Sequence, residues 1–268
     1  MSTAAELPAR AVAKPWGRDT LPAPFSAPAG ERIGEIWFEP DAAVPDLLVK
    51  YLFTSEKLSV QVHPSDAQAG AGEAGKEECW LVLDAEPGAR LAIGFRKPVD
   101  AARMRAAALD GSIEDLLEWH PVRRGDFFYL PAGTVHAIGP GLSLIEIQQN
   151  SDTTYRLYDY GRPRELHLNA GIAVASGAPY PSDLKRRVED REDAVLVEGP
   201  HFRLEQVAGV PDAEALARFP GDVLVVPVAG TVAHGDERWS AGSCLRTSDV
   251  AALTFAPEGR YLLVRPLA

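Results

Sequence analysis

The feature that most constrains the fold is a long series of short apolar runs, each closed by glycine or proline. Ile33–Phe38, Leu47–Phe53, Leu58–Val62, Cys79–Leu83, Leu91–Phe95, Asp126–Leu130 and Leu142–Gln148 occupy the first part of the chain. Ala194–Val197, Phe202–Val207, Asp222–Val228, Gly230–Ala233 and Tyr261–Val264 follow in the last part. The 23 Gly and 22 Pro are scattered between runs rather than massed. Many short β-prone segments with turn residues between them predict an all-β sandwich or barrel. Pro98–Trp119 differs, being rich in Ala, Leu and Glu with Asp110-Gly111-Ser112 as an internal break, and reads as two short helices.

Charge narrows the function. Lys plus Arg is 27 against 38 for Asp plus Glu, a formal net charge of −11, which disfavours nucleic acid and anionic membranes as partners. The residues show no basic segment leading into an apolar run and no stretch of about 18 apolar residues. The two cysteines, Cys79 and Cys244, do not make a disulfide framework. A soluble, cytoplasmic protein is expected. The run Lys185–Asp193 is charged at nearly every position and reads as a solvated linker. The expected organisation is therefore an N-terminal extended arm over 1–30, a larger β unit over 31–177 with its helical insertion at about 98–119, a linker over 178–193, and a reduced β unit over 194–268.

Four segments of the larger unit carry chemistry. Strand alternation puts Ser59, Gln61 and His63 on one face and Val60 and Val62 on the other. In Gly75–Asp84 the same alternation places Lys76, Glu78 and Trp80 together, so a carboxylate enters an otherwise apolar strand. Such a carboxylate needs a counter-charge or a ligand, and Lys76 can serve as the first. His136 leaves the Pro131-Ala132-Gly133 turn on the following strand, and Glu146 and Gln148 interrupt the apolar run Leu142–Gln149 on one face. Two imidazoles, a carboxylate and one further O or N donor suit a divalent transition metal, with Zn²⁺ first and Fe²⁺ or Mn²⁺ as alternatives. A jelly roll of the cupin kind is the natural host.

The motifs Lys14–Gly17, Ile33–Phe38, Leu47–Asp66, Gly75–Asp84, Leu130–Gly141 and Glu146–His167 closely resemble, in order, those of the type I mannose-6-phosphate isomerases. The last 85 or so residues are similar only loosely, as a reduced second cupin. The resemblance implies two jelly-roll units in series, in the compact bacterial form, and one Zn²⁺ per chain held by Gln61, His63, Glu78 and His136. It further implies Arg156, Glu146 and Lys76 as catalytic residues, and Lys76, Arg156 and Ser59 as contacts to a small sugar phosphate. The implied activity is interconversion of mannose 6-phosphate and fructose 6-phosphate through a cis-enediol. The alternatives are a cupin isomerase for another sugar or sugar phosphate and a non-catalytic sugar-binding module. One departure is Glu77, where the family usually carries Thr; alternation turns it away from Glu78. Arg162 and Arg164 read equally as phosphate neighbours or as solvated loop charges. His120, His167, His201 and His234 are expected in packing or surface roles.

Overall fold

The computed structural model describes residues 4–267. Leu47–Phe53 and Leu142–Gln149 are buried at every position, which a strand achieves only in the middle of a sheet covered on both faces. They pair with each other in a seven-stranded antiparallel sheet. Its order is Lys185–Arg187, Asp126–Leu130, Glu78–Ala85, Leu142–Gln149, Leu47–Phe53, Ile33–Phe38 and Ala9–Arg18. A five-stranded sheet faces it, ordered Tyr155–Tyr158, Val60–Val62, His136–Ile138, Arg90–Phe95 and Leu117–Pro121. The side chains between them include Leu52, Trp80, Val82, Ile93, Phe128, Ile138 and Leu144.

Alternation sends the other half of each strand outward. Val49, Tyr51, Phe53, Cys79, Leu81, Ile145 and Ile147 leave the opposite face of the seven-stranded sheet. They share one core with Phe202, Leu204, Leu224, Val226, Leu262 and Val264 of a six-stranded sheet, five strands of which belong to the C-terminal unit and one, Ala4–Glu6, to the N-terminal arm. The second unit thus covers an apolar face of the first, each fully buried aliphatic or aromatic side chain there contributing roughly 1.5–3 kcal/mol. The outer face of the five-stranded sheet, with Val60, Val62 and Ala137, is closed by Met104, Ala107 and Ala108 of the helix Ala101–Asp110. That helix starts on an Asp100 side-chain cap to the Arg103 N–H and stops at Gly111, whose φ of 84° suits glycine. The architecture is the all-β, two-unit arrangement of antiparallel sheets expected from the sequence.

Three segments differ in detail from expectation. In the arm expected over 1–30, Ala4–Glu6 pairs with Leu245–Thr247 of the C-terminal unit and Ala9–Arg18 pairs with Ile33–Phe38. These are edge strands whose only large apolar side chains are Val12 and Trp16, and Pro15 falls where the register shifts, so neither periodicity nor composition marks them. Within the expected linker, Lys185–Arg187 forms the other edge of the seven-stranded sheet, where charge is the ordinary solution for an exposed edge. The helical insertion ends with the helix Ile113–Leu116, and Leu117–Pro121 is a strand against Arg90–Phe95.

Candidate metal centre

Register aligns the site. On the seven-stranded sheet Lys50, Glu146, Trp80 and Phe128 stand in one cross-strand row, and Leu48, Gln148, Glu78 and Leu130 in another. On the facing sheet Arg156, Gln61, His136 and Ile93 form a third row. Neighbours within such a row stand side by side, so these strands assemble a polar patch inside an otherwise apolar sandwich.

His63, Glu78 and His136 converge, with their ligand-type atoms all within 4.8 Å of one another. Each imidazole has its Nδ1 on a backbone carbonyl, His63 on Thr153 at 2.8 Å and His136 on Thr134 at 2.9 Å. A carbonyl only accepts, so the Nδ1 atoms carry the protons and the Nε2 lone pairs point inward. Burial, reinforced by Lys76 and by His136, holds His63 well below the ordinary imidazole range, and burial lowers His136 against the opposing pull of Glu78. His63 Nε2 lies 3.5 Å from one Glu78 oxygen and His136 Nε2 lies 3.3 Å from the other. Glu78 is 1% exposed, and neither oxygen accepts a hydrogen bond of good geometry among the described residues. Burial would raise its carboxyl, but Lys76, with Nζ 2.7 Å from Oε2, and His136 bring it below the usual range. Lone pairs of two neutral imidazoles and an ionised carboxylate therefore face one point, where a divalent cation satisfies all three. The Nδ1 bonds are the outer contacts that orient metal-binding histidines.

Gln61 lies beside His136, its amide nitrogen 3.2 Å from Nε2, while its amide oxygen accepts from the Ser59 hydroxyl at 3.1 Å. The two amide atoms are related by a simple flip, so either can face the centre. Lys76 Nζ lies 3.3 Å from His63 Nε2 and 3.9 Å from Glu146 Oε1. Burial lowers the Lys76 ammonium, yet Glu78 and Glu146 outweigh it and the net shift is upward. Lys76 is thus a held positive charge rather than a free base.

Gln61, Ser59, Lys76 and Glu146 line a cavity of about 270 Å³, together with Lys14, Trp16, Glu35 and Trp37 and with Asp152, Thr154, Arg156 and Arg164. The Arg156 Nη1 donates to the Glu165 carbonyl at 2.8 Å, whereas its buried Nε has no partner. The Arg156 N–H donates to His167 Nδ1 at 3.1 Å and the His167 N–H donates to the Arg156 carbonyl at 2.7 Å, so this turn is fixed and His167 has a positioning role. Arg164 is clamped on the buried Asp159 through Nε and Nη2, both at 2.6 Å. Arg162 bonds Asp159 and the Lys57 carbonyl away from the cavity lining.

One charged residue escaped the sequence reading. Lys50, 4% exposed, donates to Glu146 at 3.1 Å and to Gln148 at 2.5 Å. Trp80 Nε1 holds the second Glu146 oxygen at 3.0 Å. The signal was a lysine inside the apolar run Leu47–Phe53, the same argument that singled out Glu78. Glu77 does turn away from the centre, accepting from the Tyr129 hydroxyl.

No protein-family model matches the chain. It is 40% identical over 211 residues to a mannose-6-phosphate isomerase of Streptococcus mutans, covering 73% of this chain and 65% of the relative. It is 41% identical over 168 residues to the mannose-6-phosphate isomerase ManA of Bacillus subtilis, covering 58% and 53%. The matches thus span between about half and two thirds of those relatives. Among solved structures, a mannose 6-phosphate isomerase from Bacillus subtilis superposes with a TM-score of 0.75 at 23% identity, over 99% of this chain and 100% of that one. A phosphomannose isomerase from Salmonella typhimurium gives 0.71 at 14% identity, over 99% and 100%. In sequence and in fold, the chain is therefore similar to the mannose-6-phosphate isomerases.

Proposed function

We propose that the protein is a metal-dependent aldose–ketose isomerase that interconverts mannose 6-phosphate and fructose 6-phosphate. The observation that carries this reading is the convergence of His63, Glu78 and His136 at one point, beside a cavity lined by Gln61, Lys76 and Glu146. In this reading Gln61, His63, Glu78 and His136 hold one Zn²⁺, the ion best suited to a compact N/O donor set. The metal's contribution when bound is Lewis-acid polarisation of a substrate oxygen.

The rest falls to the chain. The reaction moves a proton between C1 and C2 through a cis-enediolate, which requires a base, a proton return and stabilisation of developing negative charge. Glu146 is the acid/base, its oxygens positioned by Lys50 and Trp80. Lys76 places a fixed positive charge beside the reacting oxygens. Arg156 offers the unpaired edge of its guanidinium to an oxyanion, in the planar geometry suited to phosphate or enediolate. Ser59 orients Gln61 and lines the same cavity, where it contacts substrate. The two described cysteines are buried and free, and no described helix is long and apolar enough to cross a membrane. Both features support a cytoplasmic enzyme of sugar-phosphate metabolism.

The test is a coupled isomerase assay with mannose 6-phosphate on the protein as isolated, after chelation, and after Zn²⁺ is returned. Activity lost and then restored supports the reading. Folded, Zn²⁺-loaded protein without turnover rejects the substrate.

A further inference from the structure

We infer that His201, from the C-terminal unit, is a positioning residue for the metal centre, binding together from outside the two chain segments that carry its ligands. The inference rests on the metal-site reading above. His201 occupies the tip between the strands Ala194–Glu198 and Phe202–Ala208. Its Nδ1 lies 3.6 Å from Asp66 Oδ2 and its Nε2 lies 3.7 Å from Glu77 Oε1. Asp66 follows His63 by three residues, and Glu77 sits between Lys76 and Glu78. One imidazole therefore spans carboxylates from both ligand-bearing segments.

The junction beneath it is closely bonded. Asp66 accepts from the Gly75 N–H at 2.7 Å and from the Gln149 amide at 3.1 Å, and Gln149 in turn accepts from the Glu77 N–H at 2.9 Å. The Lys76 N–H donates to the Pro64 carbonyl at 2.9 Å. These bonds fix the relative position of His63 and Glu78 from their backbone side. Two acidic groups at one junction repel each other, and the His201 imidazole stands between them with one ring nitrogen toward each.

The hairpin tip is seated accordingly. The Leu267 N–H holds the His201 carbonyl at 2.8 Å. Gly199 passes so close to Tyr129 that an added Cβ would stand 2.9 Å from the phenol oxygen, and Phe202 meets the Tyr129 ring edge-on at 6.3 Å. Tyr129 donates to the other Glu77 oxygen. Glu77 thus receives one contact from its own sheet and one from the second unit. That unit does more than bury apolar surface: it sets the spacing of ligands it does not touch.

The test measures Zn²⁺ affinity by competition with a chromophoric chelator, in the full chain and in His201→Ala, His201→Gln and His201→Lys. The alanine variant is expected to bind Zn²⁺ about tenfold more weakly, the low end of what outer contacts to metal ligands contribute. When saturated with Zn²⁺ it should lose kcat while KM stays near the parental value. The lysine variant, which places a polar cationic group between the carboxylates, should recover most of the affinity, an outcome that a packing role would not produce. If the alanine variant does not fold, the glutamine variant carries the measurement, with loss of affinity again expected. A folded alanine or glutamine variant with parental affinity overturns the inference while leaving the isomerase reading intact. A parent that binds no Zn²⁺ overturns both, and a parent that binds Zn²⁺ without turnover overturns only the activity.

Discussion

Lys50 and Glu146 face each other across adjacent strands with Nζ 3.1 Å from Oε1, each 4% exposed. Burial pushes the Lys50 ammonium below its ordinary range, with Glu146 opposing and Lys76 adding to the push. Removing one member of such a pair leaves the other as an uncompensated buried charge. Lys50→Met should therefore destabilise by about 3 kcal/mol, and Lys50→Met with Glu146→Gln should recover most of that loss. Urea unfolding of the three proteins checks this, and equal stability of single and double variants would refute it. On the proposed isomerase reading both variants should be nearly inactive, because the acid/base proposed there has lost its setting.

Zn²⁺ should raise the melting temperature of chelated protein by mass action, roughly 2.7 kcal/mol at a free concentration a hundred times Kd. Glu78→Ala and His136→Ala should lose this response, since the converging lone pairs are then incomplete. A full thermal shift in either variant would place the ion elsewhere.

Arg156→Lys keeps the charge but gives up the planar fork, of which Nε is buried and unpaired. A drop in kcat/KM of about ten- to a hundredfold is expected, measured by steady-state kinetics on mannose 6-phosphate. Parental kinetics would mean that charge alone suffices.

In the C-terminal unit Glu205 is nearly fully buried and takes Arg203 at 2.7 Å and Arg218 at 2.8 Å. Burial would raise its carboxyl, but the Arg218 and Arg203 guanidiniums hold it below the ordinary glutamate value of about 4.5. Its contribution to stability is complete above that value and fades as pH falls through the lower, folded-state value. Glu205→Gln should be less stable at neutral pH, by about 1.5–3 kcal/mol, and should lose less than the parent on acidification below about 4.5. Parallel stability curves for the two proteins would contradict the assignment.

Much of this architecture is written in alternation. The parity of Glu78 against Cys79, and of Glu146 against Ile145 and Ile147, assigns each side chain to the site or to the core, and the structure keeps every one of these faces. Less legible were the edge strands Ala9–Arg18 and Lys185–Arg187, which use backbone pairing with few or no large apolar side chains and so leave no periodic trace. Lys50 was hidden for a different reason. Its meaning depends on Glu146, 96 residues away, and only register brings the two together. His201 likewise reads as an ordinary loop histidine until the hairpin is docked on Asp66 and Glu77.

Because both sheets of the first unit are backed by packed side chains, the chemistry sits on walls that serve two masters at once. A change at Trp80 or Gln148 is constrained by what stands behind Cys79 or Ile147. The rim is freer: Lys14, Trp37 and Thr154 can be exchanged without disturbing an apolar layer behind them. A fold built this way lets natural variation or a protein engineer alter which ligand is admitted at the rim, while the buried His–Glu–His cluster stays as it is.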